Sequence, residues 1–264
     1  MDTSATPQLK QHTAFEIIDI SIQLFRRHYA TFVMLFALGA IPSWIVLWLS
    51  GFMTFMTSFN PAAGALPTDS LNMGAFAYSP LTWAWSRIFT AAIVVAASDA
   101  YLTGDLDPGR ALRAAWSRWL PNLLIGILLG IAMGFGALVF FVGAIYVYLR
   151  YFAAIPVLML ENTSAFDAFH RSRDLSQGFK WRILGTVLLS WIILWVVILT
   201  LQAVLALVPM VPVARILLNA VVQLFVAPLL PIVVVVLYYD QRIRKDGFDL
   251  EVMARDIGAV PAQG

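Results

Sequence analysis

The feature that most constrains this chain is a series of long apolar blocks, each close to the length that crosses a lipid bilayer. A helix needs about 20 consecutive apolar residues to span the hydrocarbon core. Of the 264 residues, 61% are hydrophobic and only 12% are charged, whereas a soluble domain has roughly 45–50% apolar and 25% charged residues. The sequence therefore predicts an all-α integral membrane protein with six transmembrane helices. The predicted spans are 31–53, 81–98, 121–137, 142–160, 183–207 and 217–239.

The basic residues predict how these spans are oriented. All but three of the 17 Lys and Arg residues lie before the first span, between the second and third, between the fourth and fifth, or after the sixth. In membrane proteins the cytoplasmic loops carry the excess of Lys and Arg. We therefore expect both termini to be cytoplasmic, and we attribute the pI near 9.0 to topology rather than to a nucleic-acid partner. The three exceptions are Arg87, Arg150 and Arg215.

Three segments that precede the first, third and fifth spans have the pattern of amphipathic helices. TAFEIIDISIQLFRRHYATF has Thr13 three residues before Glu16, and SAFDAFHRSRDLSQGFKWRI has Ser164 three residues before Asp167. This spacing is typical of a capped helix start. In DPGRALRAAWSRWLPNLL the cap candidate is Asp107, which is followed by a proline suited to the first helical position. We expect all three helices to lie at the membrane interface.

The second, fourth and sixth spans resemble one another. WAWSRIFTAAIVVAASD, residues 83–99, aligns with YVYLRYFAAIPVLMLE, residues 146–161, which places Arg87 opposite Arg150. A weaker third copy, QLFVAPLLPIVVVVLYYD, has Gln223 at the arginine position. The sequence therefore predicts three pseudo-repeats, each an interfacial amphipathic helix plus a transmembrane hairpin, related by a pseudo-threefold axis along the membrane normal. The predicted organisation is a disordered tail over 1–12, a six-span membrane domain over 13–245 with repeats at about 13–99, 107–161 and 164–240, and a cytoplasmic amphipathic tail over 246–264.

Arg87, Arg150 and Gln223 are candidate anion- or lipid-binding residues. Both arginines lie in the outer half of a predicted span, where a charge costs at least about 2.5–3.5 kcal/mol on insertion scales. No Asp or Glu lies inside a predicted span to pair with them. Two interpretations follow. Either the arginines extend to the outer headgroups beside neighbouring aromatic residues, or the three polar side chains converge near the axis and hold an anionic group such as a lipid phosphate.

A second set of polar residues lies along the sixth span. Arg215, Asn219 and Gln223 recur every four residues and so form one stripe on a helix, which Gln202 of the fifth span can face. The stripe indicates either hydrogen bonding between helices or a polar crevice that is open to the outside. Arg215 and Asn219 are therefore further candidate anion-binding residues.

The spans also contain residues that shape helices. In GILLGIAMG, three glycines four residues apart permit close approach of another helix, either within the chain or in a dimer. Prolines inside the spans are expected to kink them. The residues concerned are Gly126, Gly130, Gly134, Pro42, Pro156, Pro228 and Pro231.

The sequence shows no pattern typical of a catalytic or metal site. It has no cysteine, and His12, His28 and His170 lack the spacing of metal ligands. It has neither a glycine-rich phosphate loop nor a GxSxG serine motif. We expect the acids that end the repeats to form ion pairs, for example Asp240 with Arg244. The sequence therefore predicts a non-enzymatic protein without metal or cofactor.

Three stretches of the chain resemble a known family. They are TAFEIIDISIQLFRRHYATF, RYFAAIPVLMLENTSAFDAFHRSRDLSQGFKWRILG and the tail LYYDQRIRKDGFDLE. Together they look like the bacterial glycerophosphoryl diester phosphodiesterase membrane domain family. That family is named for members in which the domain is fused to a catalytic barrel. We expect no such barrel and no phosphodiesterase activity here, because the residues show no catalytic pattern. What the resemblance implies is a location in the bacterial cytoplasmic (inner) membrane.

Two functions agree with these features. The first is the binding, or assisted transport, of an anionic amphiphile such as a membrane lipid, and it rests on Arg87 and Arg150. The second is a membrane scaffold or accessory subunit that assembles protein partners at the cytoplasmic face. It rests on the interfacial helices and on the tail, whose apolar positions include Leu250, Met253 and Ile257.

Overall fold

The structure is a computed structural model that describes residues 11–51, 72–138, 142–208 and 211–247. The secondary structure of these residues is helical throughout, with eleven α-helices and a short 3-10 helix at Met73–Tyr78. The α-helices are α1 (Ala14–Arg27), α2 (Tyr29–Leu49), α3 (Ser79–Thr103), α4 (Pro108–Ser117), α5 (Trp119–Ala137), α6 (Val142–Tyr151), α7 (Ala154–Leu160), α8 (Ala165–Ser176), α9 (Lys180–Ala206), α10 (Pro212–Val226) and α11 (Leu229–Asp246).

Six helical segments of this part of the chain are long and apolar enough to cross a membrane, which confirms the predicted multi-pass architecture. Each overlaps one predicted span, and the boundaries shift mainly because the helices continue into polar residues at their ends. The segments are Tyr29–Leu49, Ser79–Thr103, Trp119–Ala137, Val142–Leu160, Lys180–Leu205 and Leu217–Asp246.

The three predicted amphipathic helices form α1, α4 and α8, and each begins at the predicted cap. Thr13 and Glu16 make a reciprocal capping box, in which each side chain accepts a hydrogen bond from the other residue's backbone N–H. The Asp107 side chain accepts from a first-turn N–H of α4, and the Ser164 side chain does the same for α8. These bonds satisfy N–H groups that have no partner within the helix.

A similar backbone turn connects each amphipathic helix to the span that follows it. The φ and ψ angles are −122° and 29° at His28, −116° and 22° at Arg118, and −118° and 12° at Phe179. These values lie near the sparsely populated bridge region, where a chain leaves one helix and starts another in a new direction. The third turn is longer by two residues and includes Gly178 at a positive φ of 85°.

The second span of each predicted repeat lies inside the bundle, and the first span lies outside. The buried share is 56% for Ser79–Thr103 and 39% each for Val142–Leu160 and Leu217–Asp246. It is only 17–22% for the three first spans, whose large apolar side chains are exposed, as expected for helices that face lipid. Small residues on α3 allow the close central packing: Ala91, Ala92, Ala96 and Ala97 are fully buried.

The helices follow one another around the bundle in a closed circle. Helix α4 packs against α3, and α8 packs against α7, so each amphipathic helix lies on the second span that precedes it. Helix α1, the first helix of the described chain, packs against α11, the last. In the centre, α3, α7 and α11 contact one another.

Two of the inner spans are interrupted near prolines, and one outer span is not. Helix α6 ends at Tyr151 and α7 starts at Ala154, close to Pro156, whose missing N–H removes a helical hydrogen bond. Similarly, α10 ends at Val226 and α11 starts just after Pro228. Helix α2, in contrast, continues through Pro42.

The hairpin of α5 and α6 depends on a glycine contact between their backbones. A Cβ atom added to Gly136 would lie 2.6 Å from the carbonyl carbon of Gly143, closer than side chains tolerate. A Cβ atom added to Gly134, on the same helix, would meet nothing within 4 Å. The end of this hairpin next to its turn therefore requires glycine at position 136 but not at 134.

We expect Gly136→Ala to lower the stability of the folded protein by about 1–3 kcal/mol, because overpacking forces the two backbones apart. The measurement is thermal unfolding of the purified protein in detergent micelles. Gly134→Ala is the matched control, since it makes the same chemical change in the same helix, and it should leave the melting temperature unchanged or slightly raised. Equal behaviour of the two variants would contradict the close contact.

Candidate functional site

Arg87 is a cation in a largely apolar part of the bundle. It lies on α3, and its Nη2 atom is 3.5 Å from the Asn122 side-chain oxygen, a long hydrogen bond. The Asn122 amide in turn donates to the Arg87 carbonyl oxygen at 2.9 Å. The buried Nε atom of Arg87 has no hydrogen-bond partner, and none of the ion pairs formed by the described residues includes this guanidinium. Asn122 therefore positions the arginine without neutralising it.

The guanidinium of Arg87 fits against α5 because of a glycine. A Cβ atom added to Gly126 would lie 3.1 Å from the Arg87 Nε atom and 3.0 Å from the Trp83 ring. The first glycine of GILLGIAMG is thus packed within the chain, as one of the two interpretations of that motif requires. Gly130 has open space around it, with nothing within 4 Å of an added Cβ atom.

Arg87 lines a cavity of about 380 Å³ among α3, α5, α6, α7 and α11, named here the Arg87 cavity. Among the described residues of its lining, Arg87 is the one charged side chain. Thr90, Tyr148 and Tyr151 add polar groups, and the remaining wall is mainly apolar. The described lining residues are Trp83, Arg87, Thr90, Val94, Gly126, Leu129, Gly130, Met133, Tyr148, Tyr151, Phe152, Ile155, Pro156, Leu230, Pro231 and Val234.

Gln223 lines a different cavity, of about 390 Å³, named here the Gln223 cavity. Its wall is apolar and includes Trp191 and Trp195 of α9. The two cavities are neighbours, because Leu230 lines both.

The rest of the predicted polar stripe takes part in helix packing or lies on the surface. The Gln202 amide donates to the Asn219 side-chain oxygen, which is the bond between helices that one interpretation of the stripe predicted. Arg215 is exposed and lines neither cavity.

Arg150 lines neither of these cavities, so the expected convergence of Arg87, Arg150 and Gln223 on one site is not formed in them. Tyr148 and Tyr151 of α6 point to the Arg87 cavity, and Arg150 lies off this stripe. The reason is the packing of α6 against α8, whose Ser172 and Ser176 hydroxyls donate to the Arg150 carbonyl oxygen at 3.4 and 3.2 Å. The sequence placed Arg150 in the outer half of its span. The structure places it beside an amphipathic helix.

The acids that end the three predicted repeats are paired with arginines. The expected pair between Asp240 and Arg244 is present at 2.9 Å. The other acids pair with an arginine on the amphipathic helix that follows each of them. Together the pairs are Asp99 with Arg110, Glu161 with Arg171 at 3.2 Å, and Asp240 with Arg182 and Arg244, both at 2.9 Å.

Asp240 is the centre of the densest polar network. It is fully buried, and besides its two arginines it accepts from the His12 backbone N–H at 2.8 Å. The His12 carbonyl oxygen accepts from the same two arginines. His12 and its neighbour Gln11 were expected to belong to a disordered tail, but His12 is buried here. The reason is that its backbone satisfies the charged groups around Asp240, and residues 1–10 lie outside the described chain.

Three arginines lie at or near the turns that connect the amphipathic helices to their spans. Each lies beside the backbone segment that precedes another amphipathic helix. Arg118 donates to three carbonyl oxygens around the turn between α7 and α8, at 2.8–3.1 Å. Arg27 lies beside Gly104, which ends α3 at a positive φ of 72°. Arg182 reaches the His12 carbonyl oxygen ahead of α1. Arg118 and Arg182 thus bond to the segments that precede α8 and α1, and Arg27 lies in the corresponding place before α4.

These features determine what the molecule can do chemically. The acids of the network are occupied by ion pairs, and the described residues contain no group of three or more His, Asp or Glu able to hold a metal ion. Most of the predicted amphipathic tail, residues 248–264, lies outside the described chain. Sequence reasoning missed Asn122, although its polar side chain at the start of an apolar span was a visible signal, and it missed the roles of His12 and Arg118.

Comparison with family models, with curated proteins and with solved structures found no match for this chain. The resemblance to the glycerophosphoryl diester phosphodiesterase membrane domain family therefore stays a prediction.

Replacing Asp240 by Asn should destabilise the protein by about 3–5 kcal/mol, the usual effect of removing one partner from a buried ion pair. The change keeps the size of the side chain but leaves the two arginines without their shared carboxylate. Thermal unfolding in detergent measures it. The control is Asp19→Asn on the exposed side of α1, where the carboxylate accepts a hydrogen bond from the Gln23 amide, and a change within about 0.5 kcal/mol is expected there. Similar losses in both variants would refute the central role of Asp240.

Proposed function

We propose that this multi-pass membrane protein binds an anionic amphiphile in the Arg87 cavity and acts without catalysis. The observation that supports this most directly is a guanidinium without an acidic partner in a largely apolar cavity between spanning helices. A charge within the membrane costs at least about 2.5–3.5 kcal/mol, and such charges are usually compensated by a partner. An anionic ligand would supply the partner that the described residues do not provide.

The lining of the cavity defines the chemistry of the ligand. A phosphate or carboxylate would accept hydrogen bonds from Arg87, a charge-assisted contact that is stronger than one between neutral groups. The Tyr148 and Tyr151 side chains and Thr90 provide weaker polar contacts. An apolar chain would lie along Leu129 and the other apolar residues of the wall, where each buried CH₂ contributes about 0.8 kcal/mol. The volume of about 380 Å³ is within the range of small-molecule sites.

The architecture proposed around this site is a ring of three pseudo-repeated units. Three similar turns, three capped amphipathic helices and the closed circle of packing all support it. The first and last described segments lie together, since Arg244 donates to the Gln11 side-chain oxygen at 2.8 Å. We place both termini in the cytoplasm and the protein in the bacterial inner membrane, on the distribution of basic residues and on the family resemblance.

A scaffold role is the second candidate, and one observation favours it. Phe15 and Phe166 occupy the same position after the caps of α1 and α8, and they are 70% and 63% exposed. These side chains would insert into the headgroup region or contact a protein partner. In the scaffold role, removal of the charge at position 87 would leave the function intact.

The test is the lipid that remains bound to the purified protein, measured by native mass spectrometry. We expect Arg87→Gln to reduce retained anionic lipid by about tenfold or more, because hydrogen bonds to a charged group contribute about 1.5–3 kcal/mol and 1.4 kcal/mol corresponds to tenfold in affinity. Gly126→Leu should have the same effect by a different route, since its side chain would occupy the space beside Arg87.

Arg215→Gln is the control. It removes one exposed arginine from the first turn of α10, outside the cavity, and the retained lipid should not change. The proposal fails if the two arginine variants retain the same lipid, or if the wild-type protein retains none. Loss of a co-purifying protein with unchanged lipid would instead support the scaffold role.

A further inference from the structure

A second group of cations lies apart from the Arg87 cavity. The Lys180 Nζ atom donates to the Tyr146 hydroxyl at 3.1 Å, and an Nη atom of Arg150 donates to the same hydroxyl at 3.3 Å. The Lys180 ammonium also lies 4.3 Å from the centre of the Tyr146 ring. Because the hydroxyl oxygen accepts both bonds, its own proton is left to donate to a further acceptor.

Neither cation of this group is neutralised by the described part of the chain. The ion pairs formed by these residues include neither Arg150 nor Lys180. The Nε atom of Arg150 is buried and has no hydrogen-bond partner. The Ser172 and Ser176 hydroxyls reach Arg150 only at its carbonyl oxygen, and their other bonds are also to backbone groups, so they fix the position of the arginine without satisfying its side chain. Two positive charges therefore share one neutral hydroxyl.

The start of α9 adds to this positive potential. Lys180 is the first residue of a 27-residue helix that no side chain caps at its N-terminus. The first N–H groups of such a helix have no acceptor within the helix and carry a partial positive charge, which favours anions. The ammonium of Lys180, which begins this helix, meets the Arg150 guanidinium at the Tyr146 hydroxyl, and two cations together suit an anion with several oxygens.

We infer that Lys180, Arg150 and Tyr146 form a binding site for the phosphate of an anionic phospholipid. Lys180 would contact the phosphate as a point charge, and the guanidinium would offer it several N–H donors. A lipid is the occupant because the site lies where an amphipathic helix joins a spanning helix, the depth at which headgroups are found. Trp181, next to Lys180, is 86% exposed, as is usual for an aromatic side chain at the membrane interface.

This site is distinct from the proposed function, because none of its three residues lines the Arg87 cavity. Because the site lies on the same side of the bundle as the amphipathic helices, it would hold a lipid of the leaflet next to those helices. Occupation would fix α9 against α6, since the ligand would contact residues of both helices.

The experiment titrates the protein in neutral detergent with short-chain phosphatidylglycerol by calorimetry, in the wild-type and in the Arg87→Gln background. The Arg87→Gln background removes the cation of the Arg87 cavity, so that binding measured in it reports on the second site alone. The two proposals can therefore fail independently. We expect Lys180→Gln and Arg150→Gln each to weaken binding about tenfold or more in both backgrounds, as loss of a charge-assisted hydrogen bond does. Lys180→Arg should retain binding, and Tyr146→Phe should weaken it less than either charge removal.

The control is Arg173→Gln, which removes an exposed positive charge from α8 and should leave the affinity unchanged. All variants are first compared by thermal unfolding, so that a loss of binding is not confused with a loss of folding. Lys180→Arg tests whether a positive charge at position 180 is sufficient for binding. Unchanged binding in Lys180→Gln and Arg150→Gln overturns the inference. So does inorganic phosphate that binds as tightly as the lipid, because the site would then take the free ion. Equal weakening by Arg173→Gln would reduce the effect to net charge and would also overturn it.

Discussion

The fold depends on the buried carboxylate of Asp240. It accepts hydrogen bonds from two arginines and from the backbone of His12, and in this way it ties α11, α9 and the start of α1 together. A buried charge is stable only when it is paired and hydrogen-bonded. The requirement that makes this group costly to bury also makes its geometry specific, because donors from α9, α11 and the segment before α1 must all reach the same carboxylate.

Lipid gives apolar side chains little reason to prefer one helix neighbour over another, since lipid tails are as apolar as the helix surfaces. Small residues and polar contacts must therefore decide which helices meet. In this protein the alanines of α3 permit the central contact, the Gly136 backbone contact closes one hairpin, and ion pairs of arginines join spans to the amphipathic helices that follow them. These paired charges lie where helices connect, and apolar residues fill most of the space between them.

The sequence predicted those features that depend on neighbouring residues. The six spans follow from apolar length and the caps at Thr13 and Ser164 from local spacing, and both are confirmed. The site was predicted less completely, because the direction of a side chain depends on how its helix is rotated. Arg87 and Arg150 align in sequence, but their neighbours differ. Asn122 of α5 contacts Arg87, whereas Arg150 lies beside the serine hydroxyls of α8 and near the lysine that begins α9. No local pattern encodes these contacts.

The contact between His12 and Asp240 joins residues that are 228 positions apart in the chain. Where α3 meets α4 and where α7 meets α8, a short connection of the chain itself keeps the two helices together, whereas α1 and α11 are held by non-covalent contacts between distant residues. Bringing distant parts of a chain together costs more entropy than closing a short loop. The polar network around Asp240 must therefore offset a larger loss of entropy than the contacts at the other two places do, and it should be the first of the three to open when the protein is destabilised.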